Sequence, residues 1–121
     1  MSITPVTLGY KDRLYRVKLD EMVDILKVDT TKMVVTVEPG VTIGFLNRML
    51  VRQGMTLPVV PELDVLTIGG LVAGGGLEST SHKWGMFHHL CTEYEIVTAD
   101  GSCVVANENE NTDLFHAIPM R

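Results

Sequence analysis

The sequence predicts a single domain of alternating short strands and short helices, and three observations carry that expectation. Two pairs of β-rich runs are each joined by a short turn. Between them lies a stretch of apolar residues at helical spacing with a cap signal at either end. A glycine-rich connection, rather than a long helix, fills the middle of the chain. With 121 residues and 13.3 kDa, the chain is in the range of one domain.

The elements follow in order. Residues 14–19 (LYRVKL) alternate in part and suit an edge strand. Residues 23–28 (VDILKV) and 33–38 (MVVTVE) flank Asp29-Thr30-Thr31-Lys32, the spacing of a β-hairpin. In Glu38-Pro39-Gly40-Val41 proline precedes glycine, the order of a type II turn with Gly40 at positive φ. Thr42 is a candidate N-cap, and Ile43, Leu46 and Leu50 recur at helical spacing with Phe45 and Met49 beside them. Gly54 stands where a left-handed residue closes a helix, so the spacing predicts a helix over 42–53. Residues 55–66 hold two prolines and read as an extended connection. Residues 91–98 and 102–106 flank Ala99-Asp100-Gly101, a second hairpin. Thr112 caps a short helical turn through Asp113, Leu114, Phe115 and Ala117 that Pro119 cannot continue.

Composition excludes several function classes. Ten Lys+Arg against 15 Asp+Glu give a net charge of −5 and a pI near 5.2, which leaves no basic face for nucleic acid. The central uncharged stretch, Val65–Leu77, is 13 residues long and contains five glycines. A bilayer-spanning helix needs roughly 18 or more apolar residues. The first residues lack the apolar core of a secretory signal, so the residues themselves support a soluble, cytoplasmic location. Cys91 and Cys103 are too few for a disulfide scaffold. A hairpin centred on Asp100-Gly101 sets Cys103 opposite Thr98 and Cys91 far along the ladder. A disulfide needs Cα atoms within roughly 7 Å, so two free thiols are expected.

The chemistry concentrates in Thr67–Gly85 (TIGGLVAGGGLESTSHKWG), which carries Gly69, Gly70, Gly74, Gly75, Gly76 and Gly85. Glycine costs conformational entropy, so such a cluster serves either positive φ and tight packing or the close approach of backbone to a ligand. Backbone N–H groups with no side chain in front of them can cradle a phosphate, and Thr67 is placed to begin a short helix. The glycines alone leave both readings open. The common nucleotide motifs fail here. No G-x-x-x-x-G-K-[ST] is present, and Gly74-x-Gly76-x-x ends at Ser79 rather than glycine.

These segments resemble the FAD-binding domain of the PCMH-type (vanillyl-alcohol oxidase) flavoproteins. The marks are V-E-P-G-V-T at 37–42, L-P at 57–58, P-E at 61–62, T-I-G-G at 67–70, W-G at 84–85, A-D-G at 99–101 and D-L-F at 113–115. Residues 57–71, 74–85 and 91–102 are similar to the delta-24 sterol reductases within that family. The resemblance implies an α+β fold, a partial PCMH-type FAD-binding domain with two small sheets and short helices. It further implies FAD held, chiefly at its pyrophosphate, by Thr67, Ile68, Gly69, Gly70, Leu71, Val72, Ala73, Gly74, Gly75, Gly76, Leu77, Glu78 and Ser79. The implied activity is reduction of a double bond in the side chain of a sterol with NADPH through the flavin, at the endoplasmic reticulum membrane. A related FAD-dependent alcohol or hydroxy-acid oxidoreductase, and a truncated chain without catalysis, are the alternatives.

The departures from the family pattern carry expectations too. An earlier glycine-rich pyrophosphate loop, the end of the domain, a substrate domain and a membrane anchor have no counterpart in residues 1–121. The chain therefore reads as the middle of a larger enzyme, and alone is expected to be colourless, inactive and prone to edge-to-edge association.

The remaining polar residues point less sharply. His82, His88 and His89 do not form a familiar zinc spacing, and no metal site is expected. His82 and Lys83 supply positive charge either to the flavin phosphates or only to a solvated loop. Glu78 is a cofactor contact or a surface carboxylate. Trp84 reads as a packing residue, and the seven methionines as ordinary core filling. No residue is nominated as the catalytic acid.

Overall fold

The computed structural model describes residues 17–119. Strands β1 (Ile25–Asp29) and β2 (Val34–Val37) form one two-stranded antiparallel sheet, and β3 (Glu93–Val97) and β4 (Cys103–Asn107) form another. Between the two sheets run helices α1 (Ile43–Val51), α2 (Ile68–Gly74) and α3 (Ser81–Trp84) and a 3-10 helix, Phe87–Leu90. Helix α4 (Thr112–Ala117) follows the second sheet. This is the expected α+β arrangement of two small sheets and short helices. Of the residues expected as a first edge strand, 14–16 lie outside the described residues and 17–19 form no strand.

Both hairpins form where the turn residues place them. In the first, Asp29 Oδ1 accepts the N–H groups of Thr31 (3.1 Å) and Lys32 (2.9 Å), and Met33 adopts φ +55°. A bulge between Ile25 and Lys27 shifts the register of this pair. In the second, Gly101 N–H donates to Thr98 O, and Gly101 takes φ +84°, which only glycine adopts without penalty. The register differs from expectation by one residue. Cys103 faces Val97, because Thr98 N–H donates to Ser102 O and draws that pair into the turn. Cys91 precedes β3, and both thiols are free.

The Pro39-Gly40 turn is closed by Val41 N–H on Glu38 O (3.2 Å), but Gly40 is not in the left-handed region, so it is not of type II. Glycine is needed there for room. A Cβ on Gly40 would stand 2.5 Å from Met22 O, whose oxygen accepts the Gly40 N–H. Helix α1 begins and ends as its residues dictate. Thr42 Oγ1 accepts Phe45 N–H, and Gly54 takes φ +74° beyond the last turn. The cap of α4 falls on Asn111 rather than Thr112. Asn111 sits at φ +48°, a conformation asparagine tolerates, and its amide donates to Val105 O at 2.6 Å.

The core lies between the two sheets. The buried face of α1 (Ile43, Leu46, Leu50) meets that of α2 (Ile68, Leu71, Val72) together with Val41 and Phe87. Each such side chain contributes about 1.5–3 kcal/mol on burial. The methionines divide. Met55 packs against this core, whereas Met22 and Met33 are exposed and fill nothing.

Candidate functional site

Two helix starts are fastened together, and their fastening builds a cavity. Thr42 and Thr67 form an antiparallel bridge, with Ile43 N–H donating to Leu66 O and Ile68 N–H to Val41 O, both at 2.8 Å. Gly69 N–H then reaches Pro39 O at 2.9 Å, and Gly40 N–H reaches Met22 O at 2.8 Å. Three segments thus converge on a cavity of about 320 Å³ lined by Leu19, Asp20, Val23, Pro39, Gly40, Thr67, Gly69 and Gly70.

The walls are main chain and apolar surface. Among the described residues, Asp20 is the one ionisable group that lines the cavity, and no lysine or arginine does. At Gly70 a Cβ would meet only Thr67 Oγ1, at 3.0 Å, so that part of the wall is bare backbone. Gly69 is glycine because its Cβ would press on Pro39 Cβ at 2.9 Å. The amides of these two glycines are engaged internally, Gly69 on Pro39 O and Gly70 on Thr67 Oγ1 (3.2 Å). They therefore supply clearance and shape rather than free donors.

The other residues of the glycine-rich strip separate by role. The side chains of Ile68, Leu71 and Val72 are in the core. Ala73 and Gly74 are exposed on α2, and nothing lies within 4 Å of a Cβ built on Gly74. Gly75 ends the helix at φ +70°. Gly76 packs under Phe87, with a Cβ there 2.7 Å from Leu71 Cδ2. Leu77 is exposed.

Glu78 organises the turn into α3. Its carboxylate accepts from Thr80 Oγ1–H, Ser79 Oγ–H (2.7 Å) and Thr80 N–H (3.0 Å), and these bonds hold its pKa at about 2. Thr80 Oγ1 is also 2.5 Å from Pro58 O, so the single hydroxyl proton has two acceptors before it, the Glu78 carboxylate and Pro58 O. His82 Nδ1 is 2.7 Å from Ser79 O. Lys83 Nζ lies 4.9 Å over the Trp84 ring, which is 47% exposed, so Trp84 does not pack into the core as the sequence suggested.

Sequence reasoning missed Leu19, Asp20, Val23, Pro39 and Gly40 as cavity residues. The V-E-P-G run was visible, but as a turn. What makes it a wall is the bonding of Pro39 O and Val41 O to α2, which joins residues about 30 positions apart.

The clearance at Gly70, where the wall carries no side chain, is room in which the cofactor implied by resemblance would lie; the wall supplies shape and not charge, since its one ionisable group among the described residues is Asp20. Residues 6–107 match the family described as FAD binding domain. The sequence is 57% identical over 98 residues to a Delta(24)-sterol reductase of Homo sapiens, covering 81% of this chain and 19% of that protein. It is 45% identical over 108 residues to the Delta(24)-sterol reductase of Pisum sativum, covering 88% and 19%. Among solved structures it resembles the glucooligosaccharide oxidase of Acremonium strictum, described with a 6-S-cysteinyl, 8α-N1-histidyl FAD. That likeness has a TM-score of 0.74 and 32% identity, covering 83% of this chain and 21% of that one. The chain spans about a fifth of the length of the curated relatives it matches. With a bridge-built cavity, a bare glycine wall and a fold shared with FAD-carrying oxidases, this chain belongs to the FAD binding domain family, as a PCMH-type domain similar to that of delta-24 sterol reductases.

Proposed function

We propose that this chain is the FAD-binding portion of an enzyme that reduces a double bond in the side chain of a sterol, with NADPH as reductant and the endoplasmic reticulum membrane as its location. The carrying observation is the 57% identity to a Delta(24)-sterol reductase over 81% of the chain. When bound, FAD supplies the two-electron carrier between the nicotinamide and the alkene. The protein's own residues bind and orient it. Of the strip Thr67–Ser79, Thr67, Gly69 and Gly70 line the cavity, Gly70 lets the backbone approach, and the Thr42–Thr67 bridge keeps both walls of the cavity in register. The buried face of α2 fixes that strip against the core, so little order remains to be imposed on binding.

A second reading, an FAD-dependent alcohol oxidoreductase of the same fold, is favoured by the 32% identity to the Acremonium oxidase. One experiment separates them. The intact protein is incubated with FAD, NADPH and a sterol whose side chain bears a double bond. The reductase reading expects one saturated side chain and one NADP+ formed per NADPH and proton consumed. Oxidation of the sterol hydroxyl to a carbonyl, its two electrons and two protons passing to the FAD with no use of NADPH, supports the alternative.

A further inference from the structure

The 3-10 helix Phe87–Leu90 is closed by a histidine where such turns ordinarily use a glutamate or glutamine. His89 stands at its third position, and its Nδ1 accepts the backbone N–H of Met86 at 2.9 Å, half of a capping box. An imidazole accepts there only while that nitrogen carries no proton. The ring lies directly over Gly85, whose φ is +78° and whose Cβ, were there one, would stand 2.4 Å from Nδ1. His88 lies against it, the two ring centroids 4.1 Å apart, and the buried Nδ1 of His88 has no hydrogen-bond partner among the described residues. The turn matters because Phe87 N–H donates to Gly76 O at 2.8 Å, and Phe87 is the core residue that covers the end of the glycine-rich strip.

We propose that the His88–His89 pair is a proton-operated latch: the neutral imidazole of His89 holds the Met86–Leu90 turn closed on Gly76, and its protonation releases the turn and loosens the glycine-rich strip. Protonation converts the acceptor into a donor facing the Met86 N–H, and sets a positive charge against a second imidazole. Among the described residues no carboxylate lies within ion-pair distance of His89. Helix α2 has no ionisable side chain, α3 brings His82 and Lys83, Cys91 precedes β3, and β3 brings Glu93, Tyr94 and Glu95. The Glu78 carboxylate, which stays ionised, accepts from Ser79 and Thr80. Burial, and then the neighbouring His89, hold His88 below the usual imidazole range. For His88 this contributes stability that is present above the unfolded value, about 6.5, and lost as pH falls below it.

The effect on flavin rests on the cofactor reading above, so the test reads the turn itself. Amide hydrogen exchange is followed across residues 76–91 of the intact protein at pH 7.5 and 5.5, as protection relative to the intrinsic rate. The expected result is a loss of protection of about threefold or more at pH 5.5 in the wild type, the scale of one lost exposed hydrogen bond. In His89→Gln, whose amide oxygen keeps the cap at both pH values, protection is retained. In His89→Ala it is low at both. Unchanged wild-type protection, or an equal acid loss in His89→Gln, overturns the latch. Flavin release at pH 5.5 from the wild type but not from His89→Gln supports the latch acting on the cofactor. A protein that holds no flavin at any pH overturns the cofactor reading and leaves the exchange test of the latch unaffected.

Discussion

Thr42 and Thr67 face each other across a single antiparallel bridge, and each is at the same time the N-cap of the helix that follows it. Their backbones are nearly superposable, at φ −82°, ψ 147° and φ −84°, ψ 151°. Each hydroxyl accepts the N–H three residues on, from Phe45 at 3.3 Å and Gly70 at 3.2 Å. One device therefore starts both core helices and sets one wall of the cavity against the other.

The first prediction follows from that device. Thr42→Val and Thr67→Val keep the shape and delete the acceptor, and each is expected to cost about 1 kcal/mol of stability in urea unfolding. Because the two caps share one bridge, the double variant is expected to depart from the sum by about 0.5 kcal/mol or more. Strict additivity would mean that the helix starts are independent.

A second prediction separates packing glycines from ligand-facing ones. Gly44→Ala sets a Cβ 2.4 Å from Asp64 Cγ, which must shift, and so disturbs the Arg48–Asp64 ion pair (2.8 Å) between α1 and the proline-rich connection. Because Asp64 and Arg48 are both exposed, a loss of about 1 kcal/mol or less is expected. Gly74→Ala meets nothing within 4 Å in a helical conformation, and is expected to gain about 0.5–1 kcal/mol. If Gly74 faces the cofactor, that stabilised variant loses flavin affinity. Thermal melts with and without FAD read both effects.

The sequence showed the two hairpins, the helix between Thr42 and Gly54 and the glycine-rich strip because each is encoded by residues close together along the backbone. It misled where a distant group decides. Gly40 looks like a type II turn residue, and only the approach of Met22 O reveals why no side chain is tolerated there. The one-residue shift of Cys103 depends on the bond of Thr98 N–H to Ser102 O. Helix α3 was not legible, because it is one short turn held by the Glu78 carboxylate on Thr80 N–H and by Ser81 Oγ on Glu78 N–H rather than by an apolar period. The cavity was half visible. Thr67, Gly69 and Gly70 stood out, whereas Leu19, Asp20, Val23, Pro39 and Gly40 join it through backbone bonds that no local pattern announces.

Acid behaviour supplies a third prediction. Thr80 and Ser79 hold the Glu78 carboxyl at about 2, and Thr98 with Ser102 hold that of Asp100 at about 2. Both values are lowered by folding. Their contribution to stability is therefore present above about pH 4, the unfolded range, and is lost as pH falls toward 2. Carboxyl carbon NMR of the folded protein is expected to find these two groups among the last to protonate. Titration near 4 for either one would mean that its turn is open in solution.

The fourth prediction concerns the thiols. Cys103 pairs with Val97 at the turn end of the second hairpin while Cys91 precedes its far end. Thiol titration of the denatured, unreduced protein should find two free groups, as in the folded state. Zero free groups with a monomeric mass would contradict the register.

The most direct test is the flavin content of the intact protein with and without a side chain at Gly70. There a Cβ has only Thr67 Oγ1 within 4 Å, so Gly70→Val fills the cavity wall while leaving the core untouched. The expected result is a wild-type protein that retains FAD, read by its absorbance, and a variant that melts cooperatively but carries none. A Gly70→Val protein with normal flavin content would contradict the assignment of this cavity to the cofactor.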